Sequence, residues 1–166
     1  MILKPITRIN GMLRLLCRYG LITIIPTMTI IVFIQVILRY GFNNALSWVE
    51  EAARYMLVWA SCLGAVYASD QGKHVSITLI NSKLKGNGLI AGLIIANSLV
   101  LLFFLTAAWQ GWLYTKMGAI QKSASLRISM IYIYGAIPIS FLMMFSMRVE
   151  RFVIELKNAI GQGDRK

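Results

Sequence analysis

Four stretches of this chain run long without a charged side chain: residues 19–38, 55–69, 86–115 and 128–147. A helix needs about 17–25 mostly apolar residues to cross about 30 Å of hydrocarbon at about 1.5 Å per residue. The first, third and fourth stretches reach that length as they stand. The second reaches it only if its helix begins near Ser47, and the local sequence marks such a start. Ser47-Trp48-Val49-Glu50 fits a capping box, with Ser47 as N-cap and Glu50 three residues later. Glu50 and Glu51 also bring negative charge to the positive end of the helix dipole. Gly41-Phe42-Asn43-Asn44 before it has the chemistry of a turn. The pattern predicts an all-α integral membrane protein, a single membrane domain over 1–166. Its four transmembrane helices are expected near 19–38, 48–69, 88–112 and 128–148.

Ahead of the first span, Ile2, Ile6, Ile9, Leu13 and Leu16 recur at steps of four and three, with Lys4, Arg8 and Arg14 off the stripe. This spacing predicts an amphipathic helix over 2–18 lying in the membrane interface. Pro5 falls in its first turn, where proline is tolerated. The apolar run that follows is too long for a signal-peptide core and no small-x-small cleavage site succeeds it, so it reads as a retained anchor. Pro26 and Pro138 read as tolerated kinks within spans one and four.

Composition agrees with lipid as the main solvent: 58% of residues are hydrophobic, only 14% are charged, and mean hydropathy is +0.68. The net charge of +11 raises the question of nucleic acid. Lys and Arg, however, sit in short segments between uncharged runs rather than on one basic face, which points to topology signals and anionic lipid headgroups and not to nucleic acid. With four crossings, twelve of the seventeen cations fall on the side of the termini and of the second loop, against five on the other side. The positive-inside rule then puts both termini in the cytoplasm. Lys116, Lys122 and Arg127 in the third loop run against that bias.

The densest chemistry lies between Arg39 and Thr78. On a helical wheel, Glu50 and Arg54 share a face with Ala60, Gly64 and Ala68, while Trp48, Tyr55, Trp59 and Val66 fall opposite. Small residues let helices approach closely in lipid, so Ala60, Gly64 and Ala68 are expected to pack inside the bundle. The aromatics Trp48, Tyr55 and Trp59 are expected to meet lipid or a partner protein. Glu50 and Arg54 stand at i,i+4, and Glu51 and Arg54 at i,i+3, both ion-pair spacings. Ser47, Glu50, Glu51 and Arg54 therefore read as a capped, charge-matched helix entrance; a transport or proton site would call for acids near the bilayer midplane. Gln35 and Asn97 are candidates for hydrogen bonds between helices. Cys17 and Cys62 read as small hydrophobes. His74, the single histidine, reads as an interfacial residue, and one histidine cannot supply a paired-histidine haem site or a His-rich metal site. No Walker loop, GxSxG, HExxH or dinucleotide fingerprint is present, so no enzyme and no cofactor is expected.

The run Arg39, Phe42, Trp48, Glu50-Glu51, Arg54, Trp59, Gly64, Ala68 and His74-Val75 resembles the small membrane subunit of tripartite ATP-independent periplasmic (TRAP) transporters, the DctQ family. Thr78 departs from the acid that this family often carries after the His-containing turn. The resemblance implies a subunit of the bacterial inner membrane without a transport site of its own. It implies two protein partners: a large, DctM-like membrane subunit that carries substrate and sodium, and a periplasmic substrate-binding protein. The small subunit is then expected to brace the large one during uptake of a dicarboxylate, sialic acid or another sugar acid. An autonomous four-helix small-molecule exporter is the alternative; the strong Lys/Arg bias and the uncharged midplanes argue against it.

Overall fold

The structure is a computed structural model, and it describes residues 3–43, 46–71 and 87–163. Its elements are α1 (Leu3–Gly41), α2 (Ser47–Gln71), α3 (Asn87–Gly118), the single turn α4 (Ile131–Tyr134) and α5 (Ala136–Gly163). Among the described residues, three segments are long and apolar enough to cross a membrane: Ile6–Gly41, Ala91–Gly118 and Ile131–Lys157. Helix α2 has 25 residues, about 37 Å at 1.5 Å each. It is therefore long enough to cross, but Ser, Gly, Ala and its terminal charges leave it less apolar than the other three. Helices α2 and α5 form the inner pair, with α1 packed along α2 and α3 along α5.

The separate interfacial helix expected over 2–18 does not form. From Leu3, its described residues continue into the first apolar run as one helix of 39 residues, with Pro26 inside it. The apolar stripe misled because the buried face of this segment is partly polar. Asn10 and Cys17 are wholly buried, whereas Ile9 and Leu16 are 54% and 58% exposed. Asn10, Arg14, Cys17, Leu21 and Ile24 follow one another at steps of four and three, the seam of a packed helix pair. Nothing at Arg18-Tyr19 interrupts that seam, and Gly20 deepens it by admitting the Leu63 side chain of α2 to 3.0 Å from where a Cβ would stand.

The core consists of Cys17, Leu63, Val66, Met143, Met144 and Met147, with Leu13, Trp59, Phe104 and Phe141 among the residues against it. This corrects the expected division of the α2 faces. Val66, placed on the outward aromatic face, is wholly buried, and Trp59 packs inward. Ala68 is exposed, and a Cβ on Gly64 would meet nothing within 4 Å; of the small stripe only Ala60 is buried. Close approach between α1 and α2 comes instead from the opposite helix, where Gly20 receives Leu63.

Helices α3 and α5 approach closely at Gly111. A Cβ there would stand 3.0 Å from Ile137 Cγ2 and 3.2 Å from the backbone nitrogen of Pro138. Pro138 lies three residues past the interruption at Gly135; with no N–H to offer the Tyr134 carbonyl, it breaks the helical bonding between α4 and α5 while Gly135 keeps a helical backbone, as expected of a proline tolerated within the fourth apolar run. Backbone cannot yield as a side-chain tip can. Gly111→Val is expected to destabilise the chain by about 1–3 kcal/mol, the usual range for overpacking. A denaturation midpoint in detergent unchanged from the parent would show that the two helices separate freely there.

Candidate functional site

The charged residues of α2 gather at its two ends and make two layers. At the first end, the Val49 N–H bonds the Leu46 carbonyl as the helix begins at Ser47. The Glu50 carboxylate does not pair with Arg54. It reaches Arg39 at the end of α1, with Nη1 to Oε1 at 3.4 Å and both side chains more than half exposed. An exposed pair of this kind contributes about 0.2–1 kcal/mol. Arg54 is exposed and forms no ion pair among the described residues.

Glu51 does something different. Its carboxylate accepts the backbone N–H groups of Ala124 (3.2 Å), Ser125 (2.8 Å) and Leu126 (2.9 Å), and also the Tyr55 hydroxyl. Three consecutive amides turned toward one anion form a nest, a backbone concavity that favours negative charge. The loop carrying it is a narrow hairpin: Ser123 N–H bonds Ile128 O at 2.9 Å, Met130 N–H bonds Gln121 O at 3.0 Å, and Arg127 takes a left-handed φ of 54° to close the turn. The Ser123 hydroxyl accepts a second bond from Leu126 N–H. One helical turn beyond Tyr55, Trp59 donates its indole N–H to the Tyr132 carbonyl at 3.1 Å. Glu51, Tyr55 and Trp59 thus bind the segment 121–132 to α2. Trp48 and Phe42 stay exposed, at 46% and 73%. His74, with Val75 and Thr78, lies outside the described residues.

Sequence reasoning missed the layer at the other end. Asp70 is 7% exposed and Glu150 is 5% exposed. Asp70 Oδ1 takes Arg14 Nε at 3.2 Å and Arg151 Nη2 at 2.9 Å. Glu150 Oε2 takes Arg14 Nη2 at 3.0 Å and Asn10 Nδ2 at 2.6 Å. Ser146 closes the ring by donating its hydroxyl to Asn10 Oδ1 at 2.7 Å. Two guanidinium groups thus face two carboxylates, and α1, α2 and α5 are tied at one level. On the far side of α5, Asn97 of α3 donates to the Leu93 carbonyl (2.8 Å) and to Glu155 (3.4 Å), and Arg148 stands 3.8 Å from Glu155. Asn97 therefore bonds between helices as expected. Gln35 is buried with no hydrogen bond to its amide among the described residues.

Glu51 and Asp70 are nineteen positions apart on one helix, about 28 Å along its axis. That is the thickness of a bilayer's hydrocarbon, about 30 Å. All five described acids, Glu50, Glu51, Asp70, Glu150 and Glu155, fall in one layer or the other. Among the described residues no three His, Cys, Asp or Glu side chains converge to hold a metal ion.

The family model for the DctQ component of tripartite ATP-independent periplasmic transporters matches residues 28–158. That range contains both charged layers except Asn10 and Arg14. Two curated proteins of Haemophilus influenzae, each named as a TRAP transporter small permease protein, are similar to the chain. One is 46% identical over 76 residues, covering 46% of this chain and 45% of the relative. The other is 27% identical over 122 residues, covering 70% and 74%. The match thus spans under half of the first relative's length and about three quarters of the second's. Because the family match takes in four fifths of the sequence, including the Trp-x-Glu-Glu-x-x-Arg entrance that holds the hairpin, the chain belongs to the DctQ family, the small membrane component of TRAP transporters.

Proposed function

We propose that this chain is a non-catalytic brace in a sodium-driven TRAP uptake system for an organic acid such as a dicarboxylate, sialic acid or another sugar acid. It sits in the bacterial inner membrane beside a large membrane subunit, which carries substrate and ion, and works with a periplasmic binding protein. In this reading α2 is a fourth span, both termini are cytoplasmic, and the Glu51 layer lies at the periplasmic boundary.

One observation carries the proposal: the stretch between the two charged layers holds no acid among the described residues, so no described carboxylate stands near the midplane to bind a coupling ion. Its carboxylates are engaged in holding its own helices and hairpin together. The family membership and the small-permease names of the two relatives supply the setting. The separation of Glu51 from Asp70 supports α2 as a span despite its modest apolarity, because a spanning α2 would put both charged ends at a boundary.

The test is reconstitution. In liposomes with an inward sodium gradient, this chain alone is expected to accumulate none of the candidate acids. Together with the large subunit and the loaded binding protein it is expected to support uptake, and to co-purify with the large subunit at a fixed ratio. Uptake by the chain alone, or a large subunit that transports equally well without it, would overturn the assignment.

A further inference from the structure

Between α3 and α5 lies an open apolar groove of about 600 Å³ that the bracing role leaves unused. Leu105, Trp109 and Trp112 of α3 form one wall, and Pro138 and Leu142 of α5 the other. The close approach of the two helices at Gly111 and Pro138 pinches one end, from which the exposed rings of Trp109 and Trp112 stand out. Thr106, the hydroxyl on the lining, is occupied by the carbonyls of Leu102 and Phe103. One helical turn beyond the lining residue Trp112, Lys116 holds its ammonium 5.8 Å from the centre of that ring. It has no acidic partner among the described residues.

We propose that this groove seats an acyl chain of an anionic phospholipid whose phosphate rests on Lys116. The occupant joins an apolar chain to an anion, because the walls are apolar apart from Thr106 and Gln110 and the cation beside Trp112 has no acidic partner among the described residues. The volume is that of a small-molecule site, about 300–1,000 Å³. A partner helix about 10–12 Å across and as long as the bilayer is thick would need a longer trough. Lysine near the end of a membrane helix reaches for the headgroup level, and tryptophan marks the same level, so the polar end of the lipid and this end of α3 coincide in depth. The site also accounts for one of the cations that oppose the positive-inside bias: Lys116 is held over the indole for a ligand.

The groove's tryptophans report on its contents. The full chain, with Trp48→Phe and Trp59→Phe to silence the other two indoles, is placed in phosphatidylcholine vesicles. A minor share of brominated phosphatidylglycerol or brominated phosphatidylcholine is then added. Fluorescence of Trp109 and Trp112 is expected to be quenched with about fivefold preference for the glycerol headgroup, the contribution of one lysine at an anionic surface. Lys116→Gln, a change at an exposed position, is expected to abolish the preference, and Lys116→Arg to retain it. Equal quenching by the two lipids would reduce the groove to ordinary annular contact. A preference that survives Lys116→Gln, or quenching lost outright when the large subunit is present because a helix fills the groove, would equally overturn the assignment.

Discussion

Asp70→Ala is expected to destabilise this protein by about 3–5 kcal/mol, the usual effect of removing one member of a buried ion pair. The arginines it serves show why. Arg151 is only 15% exposed at its side chain and gives Asp70 its shorter contact, 2.9 Å. Arg14 would keep Glu150 but lose its Nε partner. Each guanidinium would then carry donors into a region with little water, and an unmet charge there counts for more than the pair itself gains. Replacing both members, Asp70→Asn with Arg151→Gln, is expected to recover part of the loss, and a double-mutant cycle measures the coupling directly. Denaturation of the purified chain in detergent is the readout. A loss below about 1 kcal/mol for Asp70→Ala would mean that the layer behaves as a solvated surface pair.

The second large effect separates two neighbouring acids that look equivalent in the sequence. Glu51→Ala is expected to release the hairpin, because three consecutive amides lose their acceptor together with the Tyr55 hydroxyl. Hydrogen exchange at Ala124, Ser125 and Leu126 should accelerate by at least about tenfold, as a locally opened segment does. Glu51→Gln should fall between, since one carbonyl oxygen remains while the amide turns donors toward donors. Glu50→Ala removes only the exposed pair with Arg39, so exchange in the hairpin should stay at the parent rate. Similar behaviour of the two alanine variants would show that the nest does not hold the loop.

Much of the architecture is readable from the chain. Long uncharged runs mark α1, α3 and α5, and Ser-Trp-Val-Glu falls where α2 starts at Ser47, although Glu50 turns to Arg39 and no capping bond from the Ser47 hydroxyl forms among the described residues. The family resemblance rests on residues that the structure gives physical work: Glu51 and Trp59 hold the segment 121–132, and Arg39 meets Glu50. What stays hidden is the pairing. Asp70 finds partners 56 and 81 positions away, and Glu51 finds amides 73 to 75 positions away. No local rule reaches that far. Local rules instead offered Arg54 to both Glu50 and Glu51, at spacings that suit an isolated helix and that tertiary contacts override. The amphipathic reading of 2–18 failed for a related reason. It set Arg14 off the apolar stripe because it is charged and gave Asn10 no role, although a buried polar residue with a complete set of partners is as much a core residue as a leucine. The wheel for α2 likewise assumed that small residues face inward, whereas the small member of the contact is Gly20, on the neighbouring helix.

Helix α2, the least greasy of the four long helices, is latched to α1 at both extremities, by Arg39–Glu50 at one and Arg14–Asp70 at the other. A segment that partitions weakly into oil by itself need not do so if it travels with a neighbour that partitions strongly. If α2 spans as proposed, the two would enter the bilayer as a single helical hairpin, one latch closing between the adjoining helix ends and the other locking the pair at the far end. Biogenesis of this protein should then hinge on α1: shortening its apolar run would strand α2 in water, even though not one residue of α2 had been touched.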